Sequence, residues 1–262
     1  MDPWRTAIVD ADATHIRVRG YDMTDLMRQA GFVDTIFLLH RDRLPTAGER
    51  RVLDALLVAM ADHGPGAPSC AAARLAASGN RQSISAAVAA GVLAIGNEHG
   101  GAGENCMTLI RESLAGAGAD DRATDVDIDV DAAAAQAFAR ARETGARIPG
   151  LGHRSHTIDP RVSVLFDLAT EAGIAGAGIR FVTALETAAK SAGKALPINI
   201  DGALAAILHD MGFPPPAGKF IFIIGRVAGL TAEVAEEYVR EKAMRIKIPV
   251  EYDGVPPRSL DK

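Results

Sequence analysis

The chain has little cysteine, few aromatic residues, no surplus of basic charge and no long apolar run. Of 262 residues only two are cysteine, Cys70 and Cys106, which supports neither a disulfide framework nor a cysteine zinc site. Aromatic residues make up 5% while alanine is abundant, a balance that favours closely packed helices over sheets. Lys and Arg number 28 against 33 Asp and Glu, a net charge of −5. That charge builds in no general attraction to nucleic acid or to an anionic membrane. The longest apolar runs, Ala86–Gly96 and Phe220–Gly225, are too short to span a bilayer. The opening MDPWRTAIVDAD is acidic and has no apolar stretch, so no secretory signal is expected and a soluble, cytoplasmic protein is. What is present, 48% apolar and 23% charged residues, suits one large domain, or a main domain with a smaller insert.

The expected fold class is mainly α. Two short alternating runs, Thr6–Val9 and His15–Arg19, predict a small hairpin or edge strands. Beyond them apolar residues recur at helical spacing. Leu53, Leu56, Leu57 and Met60 mark one face of a helix over Ala47–Ala61, with Pro45 and Thr46 at its start. A second helix opens at Pro68 or Ser69 and closes at Gly79-Asn80. Further helices are expected over Ser83–Ile95, Glu104–Leu114, Ala132–Glu143, Val162–Ala172, Arg180–Ser191, Gly202–Met211, Ala217–Ala228 and Thr231–Met244. Between them, Ala115–Asp131 is strongly acidic. Its Asp125, Asp127 and Asp129 imitate the first ligands of a calcium loop, but Val130 stands where that loop needs Gly and Gln136 where it needs Glu. A solvated acidic loop before a helix explains it as well, and no metal is assigned. The Pro-containing end, Ile248–Lys262, reads as an extended tail, either disordered or laid across a partner surface.

Reactive side chains gather in five Gly- and Pro-rich segments, the places where loops carry catalytic groups. They are DHGP (Asp62–Pro65), NEHGGAGE (Asn97–Glu104), PGLGHRSHTIDPR (Pro149–Arg161), NIDGA (Asn199–Ala203) and Gly225-Arg226. A lone histidine is more often a surface or satisfied core residue than a catalyst, so the company each one keeps carries the weight. His99 precedes two glycines at an apparent helix N-terminus, where the dipole favours a neutral imidazole able to donate to a developing oxyanion. Glycines before His153 allow a ligand close to the backbone. Arg154 and Arg161 follow it, and a guanidinium grips a carboxylate through two parallel hydrogen bonds. A loop with helix-capping charges accounts for the same residues. Asp201 is either an N-cap or a partly desolvated base with raised pKa. Arg226, within an apolar helix, either pairs with an internal acid or binds an anionic ligand. No phosphate-binding loop and no nucleophile elbow occurs. Two histidines, one aspartate and two arginines suit acid/base chemistry beside a carbonyl on a carboxylated substrate.

The order and spacing of RGYDMTDLM, LPTAGER, ADHGP, AAGVLAIGNEHGGA, IPGLGHR…DPR, LPINIDGALAAIL and FIIGRVAGL resemble the citrate synthase superfamily from about Arg19 to Gly254. The likeness is strongest to its short members, the citryl-CoA lyases and the lyase module of ATP-citrate lyase. The resemblance implies that His99 stabilises the enol or enolate of acetyl-CoA. It makes Asp201 the carboxylate that exchanges the methyl proton, and His153 the group that binds the oxaloacetate carbonyl and shuttles its proton. Arg161 and Arg226 would hold the dicarboxylate. It further implies a large helical domain, residues 1–104 and 194–262, and a small CoA-binding domain, residues 105–193. Dimerisation would use the helices of Ser69–Gly79 and Ser83–Gly96. No tightly bound cofactor is expected; a coenzyme A thioester is the substrate.

Two departures stand out. Where the family places another oxaloacetate-binding histidine, this chain aligns Ala71, with Arg74 and His63 as the nearest substitutes. Arg258 aligns loosely with an arginine that the family's neighbouring subunit supplies. Arg154, Lys190 and Lys194 lie where CoA phosphates would be met, although solvated charges explain them equally. Three functions follow. The first is cleavage of citryl-CoA, or a close analogue, to acetyl-CoA and oxaloacetate. The second is citrate or 2-methylcitrate synthesis, and the third a non-catalytic CoA-thioester-binding subunit. With Ala71 in place of the histidine, a keto acid with one carboxylate fewer, such as pyruvate, also enters consideration. No nucleic-acid or membrane partner is expected.

Overall fold

A computed structural model describes residues 3–116, 129–152 and 158–260. Near the N-terminus a three-stranded antiparallel sheet runs β1 (Val9–Ala11), β2 (Ile16–Val18) and β3 (Tyr21–Asp22), in that order, with Val9 opposite Val18 and Arg17 opposite Asp22. The first strand starts at Val9 rather than Thr6. The reason is local: the Asp12 carboxylate accepts from the Thr14 and His15 amides and so fixes where the chain turns. The third strand was not expected. It is reached through Arg19 (φ 50) and Gly20 (φ 84), two successive left-handed residues as in a type I′ turn, with arginine where Asn or Asp is usual.

Eleven helices follow among the described residues. Two of them, α1 (Met23–Gln29) and α2 (Phe32–Arg41), are short and were not expected. The third, α3 (Ala47–Met60), begins with a capping box in which Thr46 Oγ1 accepts from the Glu49 amide and the Glu49 carboxylate accepts from the Thr46 amide. Its predicted face is the one that Leu53, Leu56 and Met60 bury. Then come α4 (Pro68–Gly79), α5 (Ile84–Leu93, capped by Ser83), α6 (Ala102–Gly116), α7 (Val130–Thr144, capped by Asp129) and α8 (Pro160–Glu171, capped by Asp159). Asp125 and Asp127 lie outside the described residues. The last helices are α9 (Ala177–Ser191), α10 (Ile200–Asp210) and α11 (Ala217–Arg240).

One correction concerns α11, expected as two helices with a break near Gly229. It is continuous for 24 residues. Its glycines are there for contact: a Cβ at Gly225 would come within 2.8 Å of the Met60 Cβ. At Gly229 a Cβ would overlap the Ala61 carbonyl oxygen. Both let α11 lie directly against the end of α3.

At the centre is α10, in which every side chain from Ala203 to Leu208 is fully buried, as an all-round apolar helix requires. It packs on α6, α8, α9 and α11, while α7 lies on α9 and α4 pairs with α5 and α11. One apolar cluster runs through α3, α6, α7, α9, α10 and α11; a smaller one joins α4 and α5 to Leu230 and Val234 of α11. Beyond α11 the chain to residue 260 forms neither helix nor strand and exposes Ile248, Val250, Tyr252 and Leu260. No helix among the described residues is long and apolar enough to cross a membrane.

Candidate active site

The α10 N-terminus is built around Asn199. Its Oδ1 accepts from the amides of Asp201 and Gly202, so Asn199, and not Asp201, is the N-cap. The Asp201 carboxylate is therefore released from capping. The loop Pro149–Gly152 is laced to the same place. Asn199 N donates to Gly150 O (3.0 Å), Gly152 N to Pro197 O (2.7 Å) and Asn199 Nδ2 to Gly152 O (2.6 Å). Gly150 sits at φ +83 and Gly202 faces its carbonyl so closely that no Cβ fits between them. The PGLG and NIDG motifs are thus one structural unit. His153 and Arg154, which continue that loop, lie outside the described residues.

Asp201 Oδ1 is buried and has no hydrogen-bond partner among the described residues. Burial pushes its carboxyl up to about 6, against the pull of the Arg161 and Arg226 charges and with a push from Asp159. Cys106 of α6 is held as a thiol, raised to about 12 by burial and then by the charge of Asp201.

His99 lies in the connection from α5 to α6, its carbonyl accepting from the Gly96 amide. The helix N-terminus at its imidazole belongs to α4 rather than to the helix that follows it. Nε2 is 3.3 Å from the Ser69 amide and 2.9 Å from Ser69 Oγ. An amide only donates, so Nε2 accepts and the ring proton sits on Nδ1. Phe222 meets the ring edge-on, with centroids 5.8 Å apart.

The two arginines share a scaffold that the sequence did not reveal. Arg226 Nε donates to Met60 O (2.9 Å), and Arg161 Nη1 donates to Ala59 O (3.2 Å). The free carbonyls in the last turn of α3 therefore hold both guanidinium groups side by side. Arg226 is 3% exposed, lies over the Phe222 ring and reaches Ser69 Oγ at 3.3 Å. No carboxylate among the described residues forms an ion pair with it, although its charge acts on the nearby Asp201 carboxyl. Arg161 does have a partner: buried Asp159 takes its Nε and Nη2 at 2.9 and 2.8 Å.

Other candidates fall elsewhere. Glu233, Glu236 and Glu237 of α11 engage the Arg74 guanidinium, a structural tie between α4 and α11. Ala71 is exposed on α4, about 200° around the helix from Ser69. His63 is exposed in the loop after α3; Lys190 and Lys194 are exposed at the end of α9 and in the connection to α10. Arg258 lies in the exposed tail. The donor atoms of Asp62, Cys70 and Glu233 lie within 4.8 Å of one another. Arg74 on Glu233 and Arg226 at Cys70 Sγ already supply positive charge there.

A family model for the citrate synthase C-terminal domain matches residues 47–247, and the chain belongs to that family. A solved citryl-CoA lyase from Hydrogenobacter thermophilus is similar over 98% of this chain and 97% of its own, at 38% identity and a TM-score of 0.88. Citrate synthase of Haloferax volcanii is 28% identical over 196 residues, 73% of this chain and 48% of that protein. The 2-methylcitrate synthase of Shewanella oneidensis is 29% identical over 228 residues, 86% of this chain and 56% of that protein. The chain spans about half the length of these two synthases.

Proposed function

We propose that the chain is a CoA-thioester carbon–carbon lyase that cleaves citryl-CoA to acetyl-CoA and oxaloacetate. The observation that carries this reading is the end-to-end match to a citryl-CoA lyase at 38% identity, with 97% of that chain covered. The synthases, by contrast, are matched over about half their length.

In this reading His153 removes the proton of the tertiary hydroxyl. The oxygen's electron pair closes the ketone, the carbon–carbon bond breaks, and its electrons form the acetyl-CoA enolate. His99, with its proton on Nδ1, donates to the enolate oxygen and remains neutral. Asp201, protonated at the start, delivers its proton to the enolate carbon and ends ionised. A carboxyl lifted to about 6 is suited to that exchange near neutrality. Arg226 and Arg161 hold the carboxylates of the leaving keto acid, Arg161 keeping Asp159 as its anchor. The small lobe, residues 105–193, closes over the thioester, with Lys194 and Arg154 near its phosphates. The enzyme works as a cytoplasmic homodimer without a tightly bound cofactor.

The deciding experiment supplies citryl-CoA to the purified chain and follows oxaloacetate, with acetyl-CoA plus oxaloacetate tested in parallel for free CoA. Rapid cleavage without CoA release is expected, and His99→Ala should lower kcat by about 10²–10³-fold. Cleavage by the variant at the parental rate would remove His99 from the mechanism. Steady CoA release in the parallel reaction would instead make the chain a small citrate or 2-methylcitrate synthase, the reading favoured by the names of its synthase relatives. Silence in both, with turnover on pyruvate in place of oxaloacetate, would transfer the reading to a keto acid with one carboxylate.

A further inference from the structure

We infer that Asn199 is a positioning residue that couples the two halves of the acid/base machinery; the inference rests on the lyase reading above. Both ends of its amide are used, and they serve different parts of the site. Oδ1 takes the amides of Asp201 (3.0 Å) and Gly202 (3.1 Å), which orients the first turn of α10 and the Asp201 carboxylate on it. Nδ2 donates to the Gly152 carbonyl at 2.6 Å, and that carbonyl carbon is bonded to the nitrogen of His153. The backbone adds Asn199 N to Gly150 O at 3.0 Å and Gly152 N to Pro197 O at 2.7 Å. The Glu186 carboxylate of α9 takes the amide of Ile198 at 2.8 Å, so the NID turn is anchored from a third side.

A simple helix cap needs only an acceptor, and Ser, Thr and Asp serve as well as Asn. Only an amide of this length accepts from the α10 amides while donating across to the Gly152 carbonyl. Asp201 can make no such correction for itself, because its buried Oδ1 has no partner among the described residues. The place from which it projects is set by the backbone that Asn199 holds. The side chain therefore fixes the distance between the proton donor on α10 and the peptide leading into the proton acceptor.

The test separates capping from coupling in the full chain with Asn199→Ser and Asn199→Asp, both of which keep an acceptor at the cap. Thermal denaturation should place Asn199→Ser close to the parent, while Asn199→Asp, which sets a carboxylate against the Gly152 carbonyl and near Asp201, should be less stable above neutrality. Turnover of citryl-CoA by Asn199→Ser should fall about 10–100-fold with little change in KM, the loss expected of a displaced catalytic group. In Asn199→Asp the added negative charge should raise the Asp201 pKa further, so cleavage persists to higher pH than in the parent. Amide hydrogen exchange provides a readout that needs no substrate. In both variants, peptides covering residues 145–152 and 197–203 should exchange faster together. If the parent fails to cleave citryl-CoA yet the two peptides loosen together, the lyase reading falls and the coupling stands. If Asn199→Ser keeps parental kcat, or loosens only the α10 peptide, Asn199 is a cap and nothing more.

Discussion

At the scale of single residues, the raised pKa that suits Asp201 to the proposed proton transfer also costs stability. Burial raises its carboxyl from 3.8 to about 6, whereas in the unfolded chain it ionises near the ordinary value. Folding therefore favours the protonated form. That stabilisation is complete below the unfolded pKa and is lost as pH rises through the folded one. The difference is worth on the order of 3 kcal/mol against the folded state above neutrality. Asp201→Asn keeps the shape and removes the charge. Its Tm should exceed the parent's at about pH 8 and converge with it near pH 4, while citryl-CoA cleavage falls by orders of magnitude. Calorimetry across that range reads the effect; a variant less stable than the parent at the alkaline end would mean that the ionised carboxylate has partners after all. The candidate acid stands out in NIDGA, as the candidates His99 and Arg226 do in their motifs. Their supports do not, because they are remote in the chain: Ser69 lies 30 residues from His99 and 157 from Arg226. The carbonyls of Ala59 and Met60 belong to residues whose side chains carry no polar signal, and Asp159 caps α8 while it also holds the Arg161 guanidinium, a double role that its place before a proline does not announce.

At the scale of elements, the parts that announced themselves are those with local physics. Thr46 and Ser83 mark helix starts because each is a side-chain oxygen placed to accept from the first turn. The Arg19-Gly20 turn hid because the left-handed conformation falls on a residue type that does not advertise it. α11 departs from expectation for the converse reason, since a glycine can mark a break or a contact and only the partner helix decides. That partner makes a prediction. Gly229→Ala puts a methyl group against the Ala61 carbonyl and within 2.6 Å of Asp62 Oδ2, which must push α11 away from the end of α3. The same turn of α3 holds Arg226 and Arg161, so stability and substrate grip should suffer together. A loss of about 1–3 kcal/mol is expected from overpacking alone, with KM for citryl-CoA raised in whatever protein folds. Urea denaturation and initial rates measure the two; an unchanged KM would uncouple the helix crossing from the arginines.

At the scale of the whole molecule, the surface that asks for a partner is α5. Its sequence, ISAAVAAGVL, is apolar all round, and such a helix is stable only when covered. The described chain covers one side with α4 and α11, leaving Ile84 at 61% and Leu93 at 84% exposed and Ala86 and Ala89 uncovered between them. Leu75 on neighbouring α4 is exposed as well. Two copies meeting through a two-fold axis would place each α5 on the other, the self-complementary arrangement that dimers use. We therefore expect a homodimer in solution. Light scattering should give twice the mass of one chain at micromolar concentration. Leu93→Glu, which buries a charge in that contact, should shift the protein toward monomer without loss of helix content. A parent that stays monomeric, or a variant that stays dimeric, would move the contact off α5. If the variant is both monomeric and inactive, the partner copy completes or steadies the site; if it is monomeric with parental turnover, one chain carries the whole reaction.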